Sequence, residues 1–149
     1  MPSDYRVRPA QPEDLVPATA LLSESKLPLD GFADHLANAL VATRADRVVG
    51  VVELEVYERA ALLRSLVVSP TERGARLGER LASDALRLAR DRGATDVYLL
   101  TETAERFFPR FGFAVADRSA APDALKQSEE FRTACPGSAV MMHARLITR

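Results

Sequence analysis

The stretch Leu62-Leu63-Arg64-Ser65-Leu66-Val67-Val68-Ser69-Pro70-Thr71-Glu72-Arg73-Gly74-Ala75-Arg76-Leu77-Gly78 decides the fold. Its first seven residues are apolar but for Arg64 and Ser65 and read as a buried strand, Ser69-Pro70 breaks it, and Thr71 to Gly78 form a glycine-bearing loop that opens a long helix. A strand, a glycine loop and a helix N-terminus in that order make a phosphate-binding device. The N–H groups of a first helical turn have no partner within the helix and the macrodipole favours negative charge there, so a pyrophosphate can be held with few charged side chains. Gly74 and Gly78 let the backbone come close. Working outward, Leu77, Leu81, Ala85 and Leu88 share one helical face, widened by Ala82, Leu86 and Ala89. Arg80, Asp84, Arg87 and Asp91 face water, and Gly93 stands where a C-terminal cap belongs. This is a helix made to pack on a sheet.

The chain of 149 residues suits a single domain over 1–149 and is long enough to bury a sizeable core. At 47% apolar and 28% charged it has the composition of an ordinary globular protein, and no apolar run approaches the roughly 20 residues that span a bilayer. Residues Met1 to Leu15 carry Asp4, Glu13 and Asp14 and do not resemble a signal peptide, so the expected compartment is the cytoplasm. A formal charge of −1, with arginines interleaved among acids, offers no field for nucleic acid. One cysteine and two histidines, His35 and His143, predict neither an internal disulfide nor a metal centre.

Taken in order, Tyr5 to Arg8 read as a strand closed by Pro9, and Pro12 opens a helix with Leu15, Ala18 and Leu22 inward, ending near Ser25. Phe32, Leu36 and Ala39 mark a short helix. Leu40 to Arg44 and Val48 to Tyr57 are strands, the latter apolar on both faces until Glu53 and Glu55. The turn Glu58-Arg59-Ala60 leads back into the strand at Leu62, so strands two to four form an antiparallel meander. Beyond Gly93 come a buried strand Val97 to Leu100, a Thr101-Glu102-Thr103 cap, and a short helix holding Phe107 and Phe108, ended by Pro109 and Gly112. A strand Phe113 to Ala116, a helix from Pro122 to Thr133 carrying Leu125 and Phe131, and a strand Ala139 to Leu146 complete the chain. The predicted class is α/β: one domain with a mixed, mostly antiparallel sheet flanked by helices on both faces.

These residues resemble the GCN5-related N-acetyltransferase superfamily across essentially the whole chain. Val68-Ser69-Pro70-Thr71-Glu72-Arg73-Gly74 is similar to its V-x-P-x-x-R-G, Arg73 to Gly78 to its pyrophosphate loop Q/R-x-x-G-x-G/A, and Ala104, Phe107, Phe108, Gly112 and Phe113 to its A-x-x-x-Y-x-x-x-G-F. Leu63 to Val68, Leu99-Leu100-Thr101, Phe107-Phe108 and the run from Phe131 through Cys135-Pro136 to Val140 further resemble the arsenic-resistance N-acetyltransferases. Those are themselves similar to the acetyltransferase part of N-acetylglutamate synthase. The resemblance implies acetyl-CoA as co-substrate, without metal, held by Leu66, Val67 and Val68 along its pantetheine arm and by Arg73, Gly74, Ala75, Arg76, Leu77 and Gly78 at its pyrophosphate, with Thr101 and Phe108 lining the site. It implies transfer of acetyl to the amino group of a small amino-acid-like acceptor, including arsenic- or phosphorus-containing analogues. Peptide acetylation and non-catalytic acyl-CoA binding are the alternatives. No nucleic-acid or membrane partner is implied, and a homodimer is an assembly the superfamily commonly uses. Two positions depart from the pattern. Arg76 replaces the middle glycine of the loop, and Phe108 replaces a tyrosine that many relatives use as general acid.

The chemistry needs a proton acceptor for the amine, and Glu53 and Glu55, on one face of the third strand, are the candidates; a solvated edge or a cross-strand pair with Arg64 is the structural alternative. Arg64, a cation in an apolar strand, suits a bidentate grip on a substrate carboxylate or a structural pairing with Glu55. Register separates the two. With Glu58 facing Ala61, Glu55 stands opposite Arg64, and a slip of one puts Leu54 there. Phe108 either lines the site or packs the core, Thr101 either caps or contacts ligand, Cys135 reads as a buried small residue rather than a nucleophile, and His143 as packed or edge-exposed rather than catalytic.

Overall fold

A computed structural model describes residues 5–74, 76–134 and 139–146. Seven strands form one sheet: β1 (Arg6–Pro9), β2 (Ala39–Arg44), β3 (Arg47–Tyr57), β4 (Ala60–Val68), β5 (Asp96–Thr101), β6 (Ala114–Ala116) and β7 (Val140–Arg145), in the spatial order β1-β2-β3-β4-β5-β7-β6. Every pairing is antiparallel except β4 with β5. Helix α1 (Leu15–Glu24) lies between β1 and β2 in sequence, and α2 (Leu77–Asp91) makes the crossover that parallel neighbours require. Among the described residues no helix is long and apolar enough to cross a membrane.

Strand alternation sends side chains to two faces. On one, Leu40, Ala42, Leu54, Leu63, Val97 and Leu99 pack beneath Leu77, Leu81, Ala85 and Ala89 of α2. Gly50 makes the helix's approach possible, because a Cβ there would stand 2.9 Å from Leu81 Cδ1 and 3.3 Å from the Val67 carbonyl oxygen. Leu88, expected on the inner face, is only half-buried, and Ala82 takes a place in the core. The opposite face carries two apolar clusters. Ala18, Leu21 and Leu22 of α1 cover Val41, Val51 and Val67, while Leu125 covers Leu62, Tyr98 and Met141. Between these clusters the same face presents Glu53, Glu55 and Arg64.

Three expectations are corrected. The β3–β4 hairpin is tighter than either register predicted: Tyr57 faces Ala60 across the turn Glu58-Arg59, with Glu58 at φ 57°, so Glu53, not Glu55 or Leu54, stands opposite Arg64. The helix expected from Pro122 to Thr133 is two short pieces, a 3-10 segment Asp123–Gln127 and a π-helical turn Glu130–Ala134, with buried Ser128 at the break. Pro109 does not end the short helix near Phe108; it sits in the first turn of the 3-10 segment Phe108–Phe111, where a missing N–H costs nothing, and Gly112 at φ 93° closes it.

Candidate active site

The site originates in a bulge. Between the pairs Val51/Val67 and Glu53/Arg64, β3 advances two residues while β4 advances three, so β4 carries the extra one; Ser65, at φ 61°, is its left-handed residue. Beyond that point β4 leaves its parallel neighbour. Pairing with β5 covers only Ala60, Ala61 and Leu62, while β5 goes on pairing with β7 to Thr101. Two strands that start together and then splay leave a cleft of about 1010 Å³, walled by Leu63 to Val68 on one side and Leu99 to Thr101 on the other.

One end of the cleft meets the start of α2. Arg80 N donates to Arg76 O at 3.1 Å, so the N–H groups of Leu77, Gly78 and Glu79 precede the first i→i−4 bond of a 15-residue helix. Arg76 holds φ 58°, the left-handed conformation in which glycine is least costly, so the departure from the family's loop puts an arginine into a glycine-like backbone state. Gly74 has φ +95° and would meet nothing with an added Cβ; at Gly78 a Cβ would stand 3.8 Å from Phe107 Cζ and 3.9 Å from Val68 Cγ2. A longer side chain at Gly78 therefore fills the space between α2 and β4. Ala75 of the predicted loop lies outside the described residues, as do Cys135 and the rest of the Cys135 to Ser138 run. Glu72 is buried below the loop, accepting from Tyr5 Oη at 2.6 Å and Arg44 Nη1 at 2.9 Å, which ties the loop to β1 and β2. These two bonds hold its carboxyl below its ordinary pKa.

The side walls serve twice. Thr101 Oγ1 accepts from Ala104 N at 2.9 Å, the expected cap, and Thr101 also lines the cleft. Phe108 is buried, 5.6 Å from Phe113 ring to ring and 5.1 Å from Phe107, so it belongs to the core and to the cleft wall together.

The other end holds the buried charges. Arg64 donates from Nη1 to Glu55 Oε2 at 2.7 Å and to the Asp30 carbonyl, from Nη2 to the Pro28 carbonyl at 3.1 Å, and from Nε to Ser65 Oγ at 3.1 Å. The pairing with Glu55 is thus made, but diagonally across the hairpin instead of face to face. Glu55 also accepts from Tyr57 Oη at 2.6 Å, with His35 Nε2 at 3.7 Å. Burial pushes its carboxyl upward, and the bonds from Tyr57, Arg64 and Ser128 outweigh that and hold it below its ordinary value. Glu53 has no such support. Among the described residues both its carboxylate oxygens are buried without a hydrogen-bond partner, Arg64 Nε is 3.8 Å away, and burial drives its pKa up to about 9. A third carboxylate, Glu130 of the π-helical turn, comes within 3.5 Å of Arg64 Nε. Sequence reasoning missed it, because an unbroken helix gives no signal at that position; the break at Ser128 is what turns Glu130 inward. Glu53 and Glu55 lie behind Arg64, whereas Arg64 and Glu130 line the cleft together with Ser25 to Pro28.

A sheet split between its two parallel strands, with a bulge on one, thus leaves an extended groove whose mouth is the N-terminus of α2. Residues 35–115 match the family described as acetyltransferase (GNAT) domain, and the chain belongs to that family of acyltransferases. Among solved structures it is similar to N-acetylglutamate synthase from Neisseria gonorrhoeae complexed with coenzyme A and N-acetyl-glutamate, with a TM-score of 0.83 at 19% identity over 99% of this chain and 36% of that one. The chain therefore spans about a third of the synthase's length. It is also similar to Rv2747 from Mycobacterium tuberculosis, solved with CoA and NLQ (TM-score 0.77, 22% identity, 95% of this chain and 99% of that one). A third neighbour is Ard1 from Thermoplasma volcanium (TM-score 0.76, 21% identity, 98% of this chain and 100% of that one). Among curated proteins none matches the chain at a significant level.

Proposed function

We propose that this protein is an acetyl-CoA-dependent N-acetyltransferase acting on the amino group of a small, amino-acid-like acceptor. The observation that carries the reading is the cleft between splayed β4 and β5, which runs from the start of α2 to the Arg64–Glu130 ledge. Its residues fit the co-substrate. The loop from Arg73 to Gly78 would receive the pyrophosphate, with Arg76 adding a cation beside it, and the exposed edge of β4 at Leu66, Val67 and Val68 would pair with the pantetheine amides. Thr101 and Phe108 would form the opposing wall. Acetyl-CoA, when bound, supplies a thioester carbonyl whose acetyl group passes to nitrogen as the thiol departs. A β4 N–H facing that carbonyl oxygen is worth roughly 3 kcal/mol. Phe108 has no proton to give. A thiol of pKa about 8.5 leaves as thiolate without one, so the missing hydroxyl costs rate and not the reaction.

The acceptor half is bordered by the Ser25 to Pro28 loop and by the buried charges Arg64 and Glu130, a setting that suits a small charged molecule. The donors of Arg64 are largely committed to the protein itself, so an acceptor carboxylate would meet exposed Lys26 at the cleft's edge as well as the field of Arg64. A neighbour solved with N-acetyl-glutamate supports amino acids as the class to try. The test is thiol release from acetyl-CoA over α-amino acids, their arsenic- and phosphorus-containing analogues, the matching amides, and short peptides. Amino acids should be turned over at least tenfold better than their amides. Equal rates on peptides would transfer the reading to peptide acetylation, and bound CoA with no thiol released by any amine would make the protein a CoA-binding module.

A further inference from the structure

We infer that Glu130 is the residue that takes the proton from the acceptor's ammonium, a role that rests on the acetyltransferase reading above. Three carboxylates surround Arg64, and they differ in access. The Glu53 and Glu55 side chains are 0% and 1% exposed and stand behind the guanidinium, while Glu130 is 5% exposed and forms part of the cleft wall. Glu55 is also committed to Tyr57 and Arg64, and its bonds favour the ionised form, which makes it a poor proton acceptor. Glu53 is sealed from the cleft. Glu130 alone of the three combines a route to the acceptor with an environment that lets it titrate.

That environment is set from several elements. From β4, Arg64 Nε lies 3.5 Å away and favours the carboxylate; from β3, Glu55 opposes it, while Glu53, which keeps its proton, adds no charge; His35 stands 3.7 Å from Glu55, Lys26 lines the same cleft, and Arg132 and Glu129 flank Glu130 on its own turn. Burial raises the Glu130 carboxyl, Arg64 pulls it back, Glu55 pushes again, and the balance stands at about 7. A base poised there is ionised often enough to accept a proton and basic enough to hold one. The step is a simple exchange. An N–H bond of the ammonium breaks, an O–H bond forms on Glu130, and the electron pair left on nitrogen makes the amine nucleophilic. Arg64, fixed by Glu55 and the Asp30 and Pro28 carbonyls, stays in place through the change of charge.

The experiment is the pH dependence of kcat/KM for the best α-amino acid acceptor, with CoA binding by calorimetry alongside. Thiol release by the wild type establishes the underlying reading, and silence across all amines overturns that reading and this proposal with it. With turnover in hand, the wild type should show an acid limb near pH 7. Glu130→Gln should bind CoA within about twofold of wild type yet lose at least thirtyfold in kcat/KM at pH 7, and the deficit should shrink as the pH nears the amine's own pKa. Glu105→Gln, an exposed carboxylate outside the cleft wall, is the control. Loss of the same size at every pH, or activity within threefold of wild type throughout, overturns the proposal while leaving the acetyltransferase reading intact. Should Glu130→Gln fail to fold, Glu130→Asp must keep the acid limb at reduced rate; a wild-type profile without that limb overturns the assignment by itself.

Discussion

Replacing Glu53 by glutamine tests the buried charge cluster through stability instead of rate. Glu53 is fully buried, its oxygens find no donor among the described residues, and its pKa rises from an ordinary 4.5 to about 9. Between those two values the unfolded chain has released the proton and the folded protein has kept it. The folded state thus binds more protons, and this residue makes stability fall as pH rises. Glutamine has nearly the same shape and does not titrate. The difference in unfolding free energy between Glu53→Gln and wild type should therefore grow with pH at about 1.4 kcal/mol per unit, because every other group cancels in the comparison.

From pH 5 to pH 8 that amounts to about 4 kcal/mol, a large share of the roughly 5–15 kcal/mol that holds a domain together. Urea titrations of both proteins at unit steps of pH give the difference directly. The variant should match the wild type near pH 4.5 and exceed it at pH 8. A difference that stays flat from pH 5 to pH 8 would show that Glu53 titrates alike in both states, and the account of an unpartnered, proton-bearing carboxyl behind Arg64 would fall with it.

Arg64→Met should cost about 3–5 kcal/mol at neutral pH, since it leaves Glu55 buried and ionised without its cation, and a loss under about 1 kcal/mol in the same titration would contradict the pairing. Glu55 works with the opposite sign to Glu53: its folded pKa is lowered, so its stabilisation is full above the ordinary carboxylate range and is lost as pH falls through the folded value. At the cofactor end, Gly78→Ala should leave CoA affinity within about threefold because its Cβ meets only ordinary contacts, while Gly78→Leu should weaken it tenfold or more, about 1.4 kcal/mol by calorimetry. Arg76→Gly should hold that affinity or improve it; a tenfold loss would make the arginine side chain a principal phosphate ligand. Phe108→Tyr should keep CoA binding and change turnover by no more than the ~10²–10⁴ range of a general acid. A loss of folding instead would place Phe108 in the core alone, consistent with its edge contacts to Phe107 and Phe113.

Much of the scaffold was legible in the sequence because it depends on local signals. The strand Leu62 to Val68, the break at Pro70, the helix on Leu77, Leu81 and Ala85, and the crossover they imply all follow from periodicity and punctuation. What escaped depends on single residues in unusual backbone states. Ser65 carries no mark of a left-handed residue, yet its bulge shifts the β3–β4 register and opens the cleft. Glu58 is an equally unremarkable residue at positive φ, and the tight turn it makes set the pairing of Arg64 one step beyond both predicted registers. The C-terminal helix failed for the same kind of reason. Leu125 and Phe131 are six apart, short of two full turns, and the chain, broken at Ser128, buries Leu125 and packs the half-buried Phe131 against the same cluster. That break also delivered Glu130.

The cluster around Arg64 obeys a charge constraint that gives each carboxylate its own state. Three ionised glutamates about one guanidinium would leave two uncompensated negative charges in a buried site, at a cost of several kcal/mol each. The protein avoids this by sharing the proton burden unequally. Glu55, with the shortest bond to Arg64 and a tyrosine donor, keeps its charge; Glu53, with no donor, keeps its proton; Glu130, with partial access to the cleft, is left near balance. Bringing an ammonium group into the cleft changes that balance, since a positive charge beside Glu130 favours its ionised form and the ionised form attracts the ammonium. Binding and deprotonation of the amine are then two halves of one equilibrium. On the proposed assignment a single proton has to move across it, while Glu55 and the Asp30 and Pro28 carbonyls hold Arg64 beside Glu130.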